Sequence, residues 1–367
     1  MNICFYNVTA TTHFGGLETY CWEAGHALAA RGHRVTIIAG EGGAARQPDV
    51  ELAAFPFIDR TRFPNLGTRF RKLMERLSFA RRAAPYLASA GFDAVIINKP
   101  FDMPALGWAR WRGMSASTMF RSGGTDFFLG DRWFAAAVDH WVSTSRYNAD
   151  QITTRYHRPV TLIPNGVDTR LFVPGQRNAA LRRRWSVPEA APLVISVGRL
   201  VGWKGLHVVV DALAGLGKAH YLIVGEGGER RRLEEMARRL GIADRVHFTG
   251  RVSHDQLPET LREADLFVQP SIGEEAFGIS VVEAMACGVP VLASRNGGLV
   301  EVVEDGKTGR LLPPGDAPAW RAALAALLAA PETRMTMGQA ARERADGEFT
   351  WAANARKLEQ LIMERTA

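Results

Sequence analysis

The stretch from Glu274 to Ser294, EEAFGISVVEAMACGVPVLAS, shows best how this chain is built. It reads as a loop, an apolar helix and, after a Gly-Val-Pro turn, a short strand, which is the repeating unit of a parallel α/β sheet. Glu275 and Glu283 lie on either side of the loop-to-helix turn, where carboxylates can accept hydrogen bonds from ligand hydroxyl groups. The first backbone N–H groups of a helix have no partner within it and therefore suit an anion. Here those groups belong to Phe277, Gly278, Ile279 and Ser280.

The same alternation of β-rich runs and helical stretches continues through the chain in two series. The expected strands are Met1–Val8, Arg34–Ala39, Ala94–Asn98, Ser117–Arg121, Trp141–Thr144 and Val160–Ile163, then Leu193–Val197, Tyr221–Val224, Val246–Phe248, Leu266–Gln269 and Pro290–Ala293. Between the two series, the segment IPNGVDTRLFVPG (163–175) concentrates turn-forming residues. The pattern predicts an α/β protein of two doubly wound, Rossmann-like domains, 1–173 and 174–348, that face each other across a cleft. We expect the last segment, 349–367, to form a helix that crosses back to the N-terminal domain.

Length and composition are typical of a soluble globular protein with two domains. The chain has 367 residues, of which 47% are hydrophobic and 23% charged. Its three cysteines fit neither a disulfide framework nor a Cys-x-x-Cys metal site, and no apolar run approaches the roughly 18 residues that span a bilayer. The amino terminus lacks the basic and apolar regions of a signal peptide. We therefore expect a cytoplasmic protein, or one that lies peripherally on the inner face of the membrane.

Three further glycine-rich loops follow predicted strands. VGRLVGWKG (197–205) places Arg199 and Lys204 beside backbone donors, an arrangement that suits a diphosphate. HFGGLETY (13–20) is a Gly15-Gly16 turn before a helix, where glycine lets a ligand approach the backbone. GEGGER (225–230) is similar to a dinucleotide fingerprint, but Arg230 stands where the third glycine belongs, so a dehydrogenase is disfavoured.

The motifs that the chain lacks and the place of its net charge both narrow the possible functions. The chain has no GxxxxGK[ST] loop, no HExxH, no Asp-x-Asp pair and no ligand-like clustering of its nine histidines, so we expect no metal and no other cofactor. The net charge is +7, and the segment Arg60–Arg82, with eight bases and one acid, accounts for all of it. A general nucleic-acid binder would spread its charge more widely, so nucleic acid is not an expected partner.

Taken in order, these motifs resemble glycosyltransferase family 4, a class of retaining GT-B enzymes that use nucleotide-sugar donors. The resemblance rests on GGLE (15–18), PNGVD (164–168), GRLVGWKG (198–205), GEG (225–227), FTGRV (248–252), PSIGEEAFGISVVEAMACGVPV (270–291) and GG-x-x-E (297–301). It implies a metal-independent hexosyltransferase that transfers a hexose, with retention of configuration, to a glycan or lipid-linked acceptor. The family's habits favour a UDP-sugar donor, with a GDP-sugar next.

The resemblance also implies a role for each candidate residue. Arg199 and Lys204 would hold the diphosphate and stabilise its charge as it departs, so both would be catalytic. Glu275 would bind the hydroxyls of the transferred sugar, and Glu283 would bind the ribose diol. The remaining substrate contacts would come from Gly16 with its neighbour Gly15, from the backbone of Val252, and from the amides of Phe277, Gly278, Ile279 and Ser280.

One position departs from the family pattern, and two other functions stay open. Many relatives carry a His-Gly pair near the far end of the sugar, but the matching stretch here, FRSGGTDFF (120–128), has Gly123 at that place. Asp126 or Arg121 would then substitute as a substrate-binding residue. The alternatives are a GT-B-fold sugar-nucleotide epimerase, which would need acid–base groups around the sugar, and a non-catalytic sugar-nucleotide-binding protein.

The basic segment 60–82 has two interpretations. Phe70, Leu73, Met74 and Leu77 recur at the spacing of one helix face. The bases beside this face are Arg69, Arg71, Lys72, Arg76, Arg81 and Arg82. In one interpretation the helix lies on an anionic membrane surface. In the other its apolar face packs against the core and its bases are solvated.

Overall fold

The computed structural model describes residues 1–13, 15–42, 49–124 and 126–364. The chain divides into two compact units, one formed by Met1–Asn165 with Trp351–Ala367 and the other by Gly166–Thr350. Each unit is built on one parallel sheet, of seven strands in the first and six in the second. The predicted fold class, α/β with two doubly wound Rossmann-like domains, is confirmed.

The first unit has the strand order β3-β2-β1-β4-β5-β6-β7. These strands are β1 Asn2–Tyr6, β2 Arg34–Gly40, β3 Glu51–Phe55, β4 Ala94–Ile97, β5 Ser117–Ser122, β6 His140–Ser143 and β7 Thr161–Leu162. The helices are α1 Gly16–Ala29, α2 Thr68–Ser89, α3 Met103–Trp111 and α4 Arg146–Tyr156. The strand order reverses between β1 and β4, and in such sheets ligands bind beyond the carboxyl ends of the strands at that point.

The second unit has the order β10-β9-β8-β11-β12-β13, so its reversal lies between β8 and β11. Its strands are β8 Leu193–Val197, β9 His220–Val224, β10 Val246–Gly250, β11 Leu266–Gln269, β12 Val291–Ser294 and β13 Gly309–Leu312. Its helices are α5 Ala179–Arg184, α6 Leu206–Ala214, α7 Arg230–Arg239, α8 Leu257–Arg262, α9 Ile279–Ala286, α10 Leu299–Val302, α11 Ala317–Leu328 and α12 Pro331–Glu348. The central strands are buried along their whole length, as their continuous apolar runs require.

The division between the units lies at Asn165 rather than at the predicted residue 173. The turn after Asn165 already belongs to the second unit, because the N–H of Val167 donates to the carbonyl of Phe349 at 2.9 Å. Phe172 is fully buried in the second unit's core. The last helix, α13 Trp351–Met363, belongs to the first unit. There Trp351 packs against Tyr20, and Asn354 donates to the carbonyl of Pro164.

Helix α2 contains most of the basic segment and corrects one part of its interpretation. Arg76 is not a surface base, because its guanidinium is buried and makes two 2.8 Å hydrogen bonds to the Asp102 carboxylate. The buried face of α2 includes Phe79, Ala83 and Leu87, whereas Leu77 is exposed. The predicted apolar face is therefore displaced from the one that contacts the core. None of the helices within the described ranges has the length and apolar character that a membrane crossing requires.

Candidate active site

The predicted catalytic residues lie beyond the carboxyl ends of β8 and β11, at the reversal point of the second sheet. Arg199 follows β8, and Lys204 ends the short 3₁₀ turn Gly202–Lys204 after it. Gln269 is the last residue of β11, and the loop that contains Glu275 follows it. Arg199, Lys204 and Gln269 line one small cavity at this edge of the sheet. The site thus forms where doubly wound sheets usually bind ligands.

Backbone hydrogen bonds fix these two loops against each other. The carbonyl of Trp203 accepts from the N–H groups of Ile272 and Gly273 at 2.9 and 3.0 Å. Gly205, at φ +66°, approaches so closely that an added Cβ would lie 2.0 Å from the Pro270 carbonyl oxygen. Only glycine fits there, because a side chain would both clash and occupy the left-handed region. Gly205 therefore allows the turn that contains Lys204 to pack closely against the loop that contains Glu275.

Glu275 is held by three donors that all reach the same carboxylate oxygen. Its Oε2 accepts from Lys204 Nζ at 2.6 Å, from Gln269 Nε2 at 3.1 Å and from Ser271 Oγ at 3.2 Å. Gln269 and Ser271 are buried, and Gln269 also donates to Ser271 at 2.9 Å. The other oxygen, Oε1, has no hydrogen-bond partner among the described residues. The carboxylate is thus oriented through one oxygen, and the other is available to a ligand hydroxyl.

The two cations differ in how firmly the protein holds them. The Lys204 ammonium lies on Glu275 and 4.7 Å from the centre of the Trp203 ring. Its side chain is only 14% exposed, so its position is well defined. Arg199 is exposed, and within the described part of the chain its guanidinium has no hydrogen bond or ion pair. An anion bound here would meet one preplaced ammonium and one guanidinium with unused donors.

The start of α9 provides backbone donors next to this pair. Gly278 caps the helix at φ +93°, where an added Cβ would lie 2.8 Å from Leu299 Cδ2. Phe277 is buried edge-on against Phe349, and Ile279 packs against the core, so these residues can serve a ligand only through their amides. Ser280 is half-buried in the first turn of the helix. The helix N-terminus has the polarity that the prediction for residues 277–280 requires.

A second loop supports the segment before α9. The N–H of Gly298 donates to the Glu275 carbonyl at 2.7 Å, and Asn296 Nδ2 donates to the Gly273 carbonyl at 2.8 Å. Gly297, at φ +56°, passes so close that an added Cβ would lie 2.2 Å from the Glu275 oxygen. The GG-x-x-E motif therefore acts here through its glycines, which keep the backbone of Glu275 in place.

Glu283 lies inside α9 and has a partner that sequence reasoning missed. Its carboxylate is 7% exposed, and its Oε1 lies 3.0 Å from Nε2 of His254, whose ring packs on Phe172. One oxygen of Glu283 is thus already engaged, so a ribose diol would find a carboxylate oriented by His254. Val252 is half-buried, and its side chain packs against the core, which leaves its backbone for ligand contacts.

The GEGGER loop has a packing role in this structure. An added Cβ on Gly225 would lie 2.0 Å from the Gly198 carbonyl oxygen, and one on Gly227 would lie 2.2 Å from that of Leu200. The two glycines therefore let the loop after β9 lie against the Arg199 loop. This close backbone packing accounts for the glycines at positions 225 and 227.

The predicted N-terminal residues lie at the carboxyl edge of the first sheet. Gly15 precedes α1 in an extended conformation, and Gly16 is the first residue of that helix. An added Cβ on Gly123 would lie 2.3 Å from Leu17 Cδ2, so no histidine fits at this position without rearrangement. Asp126 accepts from Lys72 Nζ at 2.6 Å.

Arg121, the other candidate substitute for the family histidine, is turned into the first unit. Its side chain is 1% exposed, it bonds to Asn165 Oδ1, and it stacks 3.7 Å above the Tyr20 ring. Burial lowers the pKa of this guanidinium. Arg121 thus has a structural position beside the domain boundary, and of the two candidates Asp126 is the more accessible.

Within the described ranges, no group of three or more His, Cys, Asp or Glu residues lies close enough to hold a metal ion. Sequence reasoning identified the charged residues of the site but missed Gln269, Ser271 and His254. A signal existed for Gln269, since a polar residue at the end of the apolar run LFVQ points beyond a buried strand.

Comparisons with known proteins match both halves of the chain to one family. The family model described as Glycosyltransferase Family 4 matches residues 14–171, and the one described as Glycosyl transferases group 1 matches residues 178–344. A solved structure, sucrose-phosphate synthase from Thermosynechococcus elongatus, superposes with a TM-score of 0.85 at 26% identity, and the match covers 100% of this chain and 99% of that one. The two-domain GT-B fold is thereby confirmed.

Two curated relatives carry the same name, GDP-mannose-dependent alpha-(1-6)-phosphatidylinositol monomannoside mannosyltransferase. The protein from Mycobacterium tuberculosis is 30% identical over 380 residues, which is 95% of this chain and 94% of its own length. The protein from Mycolicibacterium smegmatis is 35% identical over 234 residues, so the match spans 60% of this chain and 61% of that relative. These names confirm the predicted class, a hexosyltransferase, at the level of the family. With both halves matched in order and one relative matched over nearly its full length, the chain belongs to glycosyltransferase family 4.

Proposed function

We propose that this chain transfers a hexosyl group from a nucleoside-diphosphate hexose to a hydroxyl group of a glycan or lipid-linked acceptor, with retention of configuration and without a metal ion. The observation that carries the proposal is that hydrogen bonds hold the Glu275 carboxylate through only one of its two oxygens. Three donors hold one carboxylate oxygen, and the other is without a partner in the described part of the chain. Such a carboxylate can accept from a sugar hydroxyl without moving, which is the preorganisation that catalysis needs.

The cations beside it suit the departing diphosphate. In the proposed reaction the bond between C1 of the hexose and the β-phosphate oxygen breaks while C1 bonds to the acceptor oxygen. The acceptor's proton passes to the leaving phosphate, whose new negative charge is stabilised by Lys204 and Arg199. These two cations and the amides at the start of α9 take the place that a metal ion has in other transferases.

The donor's nucleotide has two candidates. Glycosyltransferases of this family use several bases, and the prediction that UDP precedes GDP stays a prediction. The M. tuberculosis relative is named for GDP-mannose, which favours GDP-mannose as the second donor to test. In both cases we propose that Glu283, held by His254, binds the ribose and that the backbone near Val252 meets the base.

The lipid-linked acceptor connects to the membrane-surface interpretation of segment 60–82. Arg76 is buried on Asp102 and Lys72 is paired with Asp126, so neither would meet a membrane surface. The exposed groups are Arg62, Arg69, Arg81 and Arg82, together with Leu66, which is 71% exposed. We propose that these four arginines, three of which belong to the predicted set, attract the protein to an anionic surface, where each adds about 1 kcal/mol to the binding free energy. Anionic vesicles should then bind the chain, and Arg69→Gln/Arg81→Gln/Arg82→Gln should lose that binding, whereas equal binding of neutral vesicles would contradict the proposal.

A panel of UDP- and GDP-hexoses tests the function. We expect one donor to release its nucleotide slowly in the absence of acceptor and faster with it, and Lys218→Met, an exposed lysine on the second unit, to behave as wild type. Interconversion of free nucleotide sugars would identify the epimerase instead. Tight binding of every donor without any release would identify a non-catalytic binding protein.

A further inference from the structure

Gln269 is a buried polar residue at the end of a strand whose other residues are apolar. It closes β11, the run Leu266–Gln269, and is only 2% exposed. Its side chain lines the small cavity beside Arg199 and Lys204. A buried amide costs free energy unless its polar atoms find partners, so a glutamine at this position indicates a need for hydrogen bonds rather than for packing.

Both hydrogens of the Gln269 amide are used. Its Nε2 donates to Ser271 Oγ at 2.9 Å and to Glu275 Oε2 at 3.1 Å. The second bond also defines which way the amide faces, because an ionised carboxylate only accepts and must therefore meet the nitrogen. The amide oxygen accepts no hydrogen bond from the described residues. The contribution of this side chain to the site therefore lies in its two donors.

Ser271 transmits the effect of Gln269 to the same carboxylate oxygen. Its hydroxyl is fully buried and accepts from Gln269, so its single hydrogen is left for Glu275 Oε2, which it reaches at 3.2 Å. Gln269 thus acts on the carboxylate twice, once directly and once by directing the hydroxyl of Ser271.

The remaining donor, Lys204, supplies charge but little direction. An ammonium is a compact charge that attracts a carboxylate without defining its rotation. The last bond of a glutamate side chain rotates over a broad range unless hydrogen bonds restrict it. The two neutral donors have fixed directions, because Gln269 and Ser271 are both buried. They therefore decide which oxygen of Glu275 is engaged and which is left for a ligand.

We propose that Gln269 is a positioning residue that sets the rotation of the Glu275 carboxylate and thereby the discrimination between donor hexoses. This inference rests on the proposed function, in which Glu275 binds the transferred hexose. With Gln269 in place, Oε1 of Glu275 meets a hydroxyl of one configuration. Without it, the carboxylate stays near Lys204 but turns to accept from hydroxyls of either configuration.

Gln269→Met tests the proposal, because methionine has a similar length and no amide. The assay measures nucleotide release from the preferred donor and from an epimer that differs at one carbon, such as UDP-glucose and UDP-galactose. We expect kcat for the preferred donor and the ratio of the two kcat/KM values each to fall at least about tenfold, the lower end of the effect of a hydrogen bond to a charged group. The affinity for free UDP or GDP, measured by calorimetry, should not change.

Gln269→Glu adds a signature that a role in packing would not produce. The new carboxyl donates to Glu275 when it is protonated, as the amide does, and repels it when ionised. Burial and Glu275 raise the pKa of this carboxyl, whereas Lys204 and, across the cavity, Arg199 oppose the rise. The activity of Gln269→Glu relative to wild type should therefore increase as the pH falls below neutrality.

Gln339→Met is the matched control, because it replaces an exposed glutamine of the same unit. Turnover and discrimination of Gln269→Met within a few-fold of wild type would overturn the proposal, as would an equal loss in Gln339→Met. A relative activity of Gln269→Glu that does not depend on pH would also overturn it. So would a loss of UDP or GDP affinity in Gln269→Met as large as the loss in kcat, since the residue would then support the whole site. A wild-type chain that turns over no donor contradicts the proposed function itself, whereas an active wild type with an unaffected Gln269→Met contradicts only the positioning role.

Discussion

Replacing Lys204 by methionine should reduce turnover by at least about 10²-fold, the scale of one charge-stabilising group in a transition state. Methionine keeps the length of the side chain and removes the charge. Of the two cations proposed to face the diphosphate, Arg199 would remain. Lys204 is the one that the structure holds rigidly, through Glu275 at 2.6 Å and the Trp203 ring. Because it is already in place before the charge develops, its loss should appear in kcat more than in KM.

The same substitution should destabilise the second unit by an amount that follows from the contacts of Glu275. The carboxylate is 13% exposed, and without Lys204 it keeps only the neutral donors Gln269 and Ser271. Loss of a hydrogen bond to a charged group costs about 1.5–3 kcal/mol of unfolding free energy. Adding Glu275→Gln removes the unpaired charge, so the double variant should recover about 0.5–3 kcal/mol relative to the sum of the single effects.

The assay is nucleotide release over a range of concentrations of one donor, which gives kcat and KM separately, together with urea unfolding of each variant. Lys218→Met serves as the control, because this lysine is exposed and lies away from the site on the same unit. Turnover of Lys204→Met within a few-fold of wild type would refute the catalytic assignment. Additive effects on unfolding would refute the coupling between Lys204 and Glu275.

Three further predictions follow from particular residues. Glu275→Gln should lower kcat and donor-sugar discrimination, whereas Glu283→Gln should mainly weaken nucleotide binding, and unchanged affinity of free nucleotide for Glu283→Gln would contradict the ribose role. Chelator should leave activity intact, and a loss that added metal restores would show that a metal ion takes part. Burial and the neighbouring His220, 2.9 Å away, lower the pKa of His247 to about 4. In the unfolded chain this ring is protonated near its ordinary pKa of 6.5. The neutral ring therefore contributes its full stabilisation of the folded state above that pH, and the contribution is lost as the pH falls toward 4. We expect the unfolding free energy to fall by about 1–2 kcal/mol over this pH range, a modest amount because the ring is half-exposed. Thermal unfolding measured against pH tests this, with His13→Gln as the control. A pH dependence that persists unchanged in His220→Gln/His247→Gln would contradict the prediction.

The sequence was most informative where local pattern and tertiary structure agree. Buried strands such as Leu193–Val197 and Leu266–Gln269 were predicted with their observed bounds, because a fully buried parallel strand is a continuous apolar run. The strands Glu51–Phe55 and Gly309–Leu312, which both lie at sheet edges, were missed. Edge strands are recognised by their pairing, which a single segment does not show.

The candidate site was predictable in its charges but not in the contacts that hold them. Lys204 and Glu275 are 71 positions apart, and their ion pair depends on how the Gly205 turn packs on Pro270. Arg76 looked like a surface base because its partner Asp102 lies on another element, after β4. Likewise, nothing near Lys72 in sequence indicates that its ammonium bonds to Asp126. Local patterns predict which residues are charged, whereas the fold decides which charges are paired.

The most direct test of the proposed function is a crystal structure of the chain with a nucleoside-diphosphate hexose. We predict that the diphosphate lies within hydrogen-bond distance of Lys204 and Arg199 and that Oε1 of Glu275 accepts from a hydroxyl of the hexose. We also predict that the ribose lies at Glu283. A nucleotide bound elsewhere, or a hexose that leaves Oε1 of Glu275 without a contact, would contradict the proposed function.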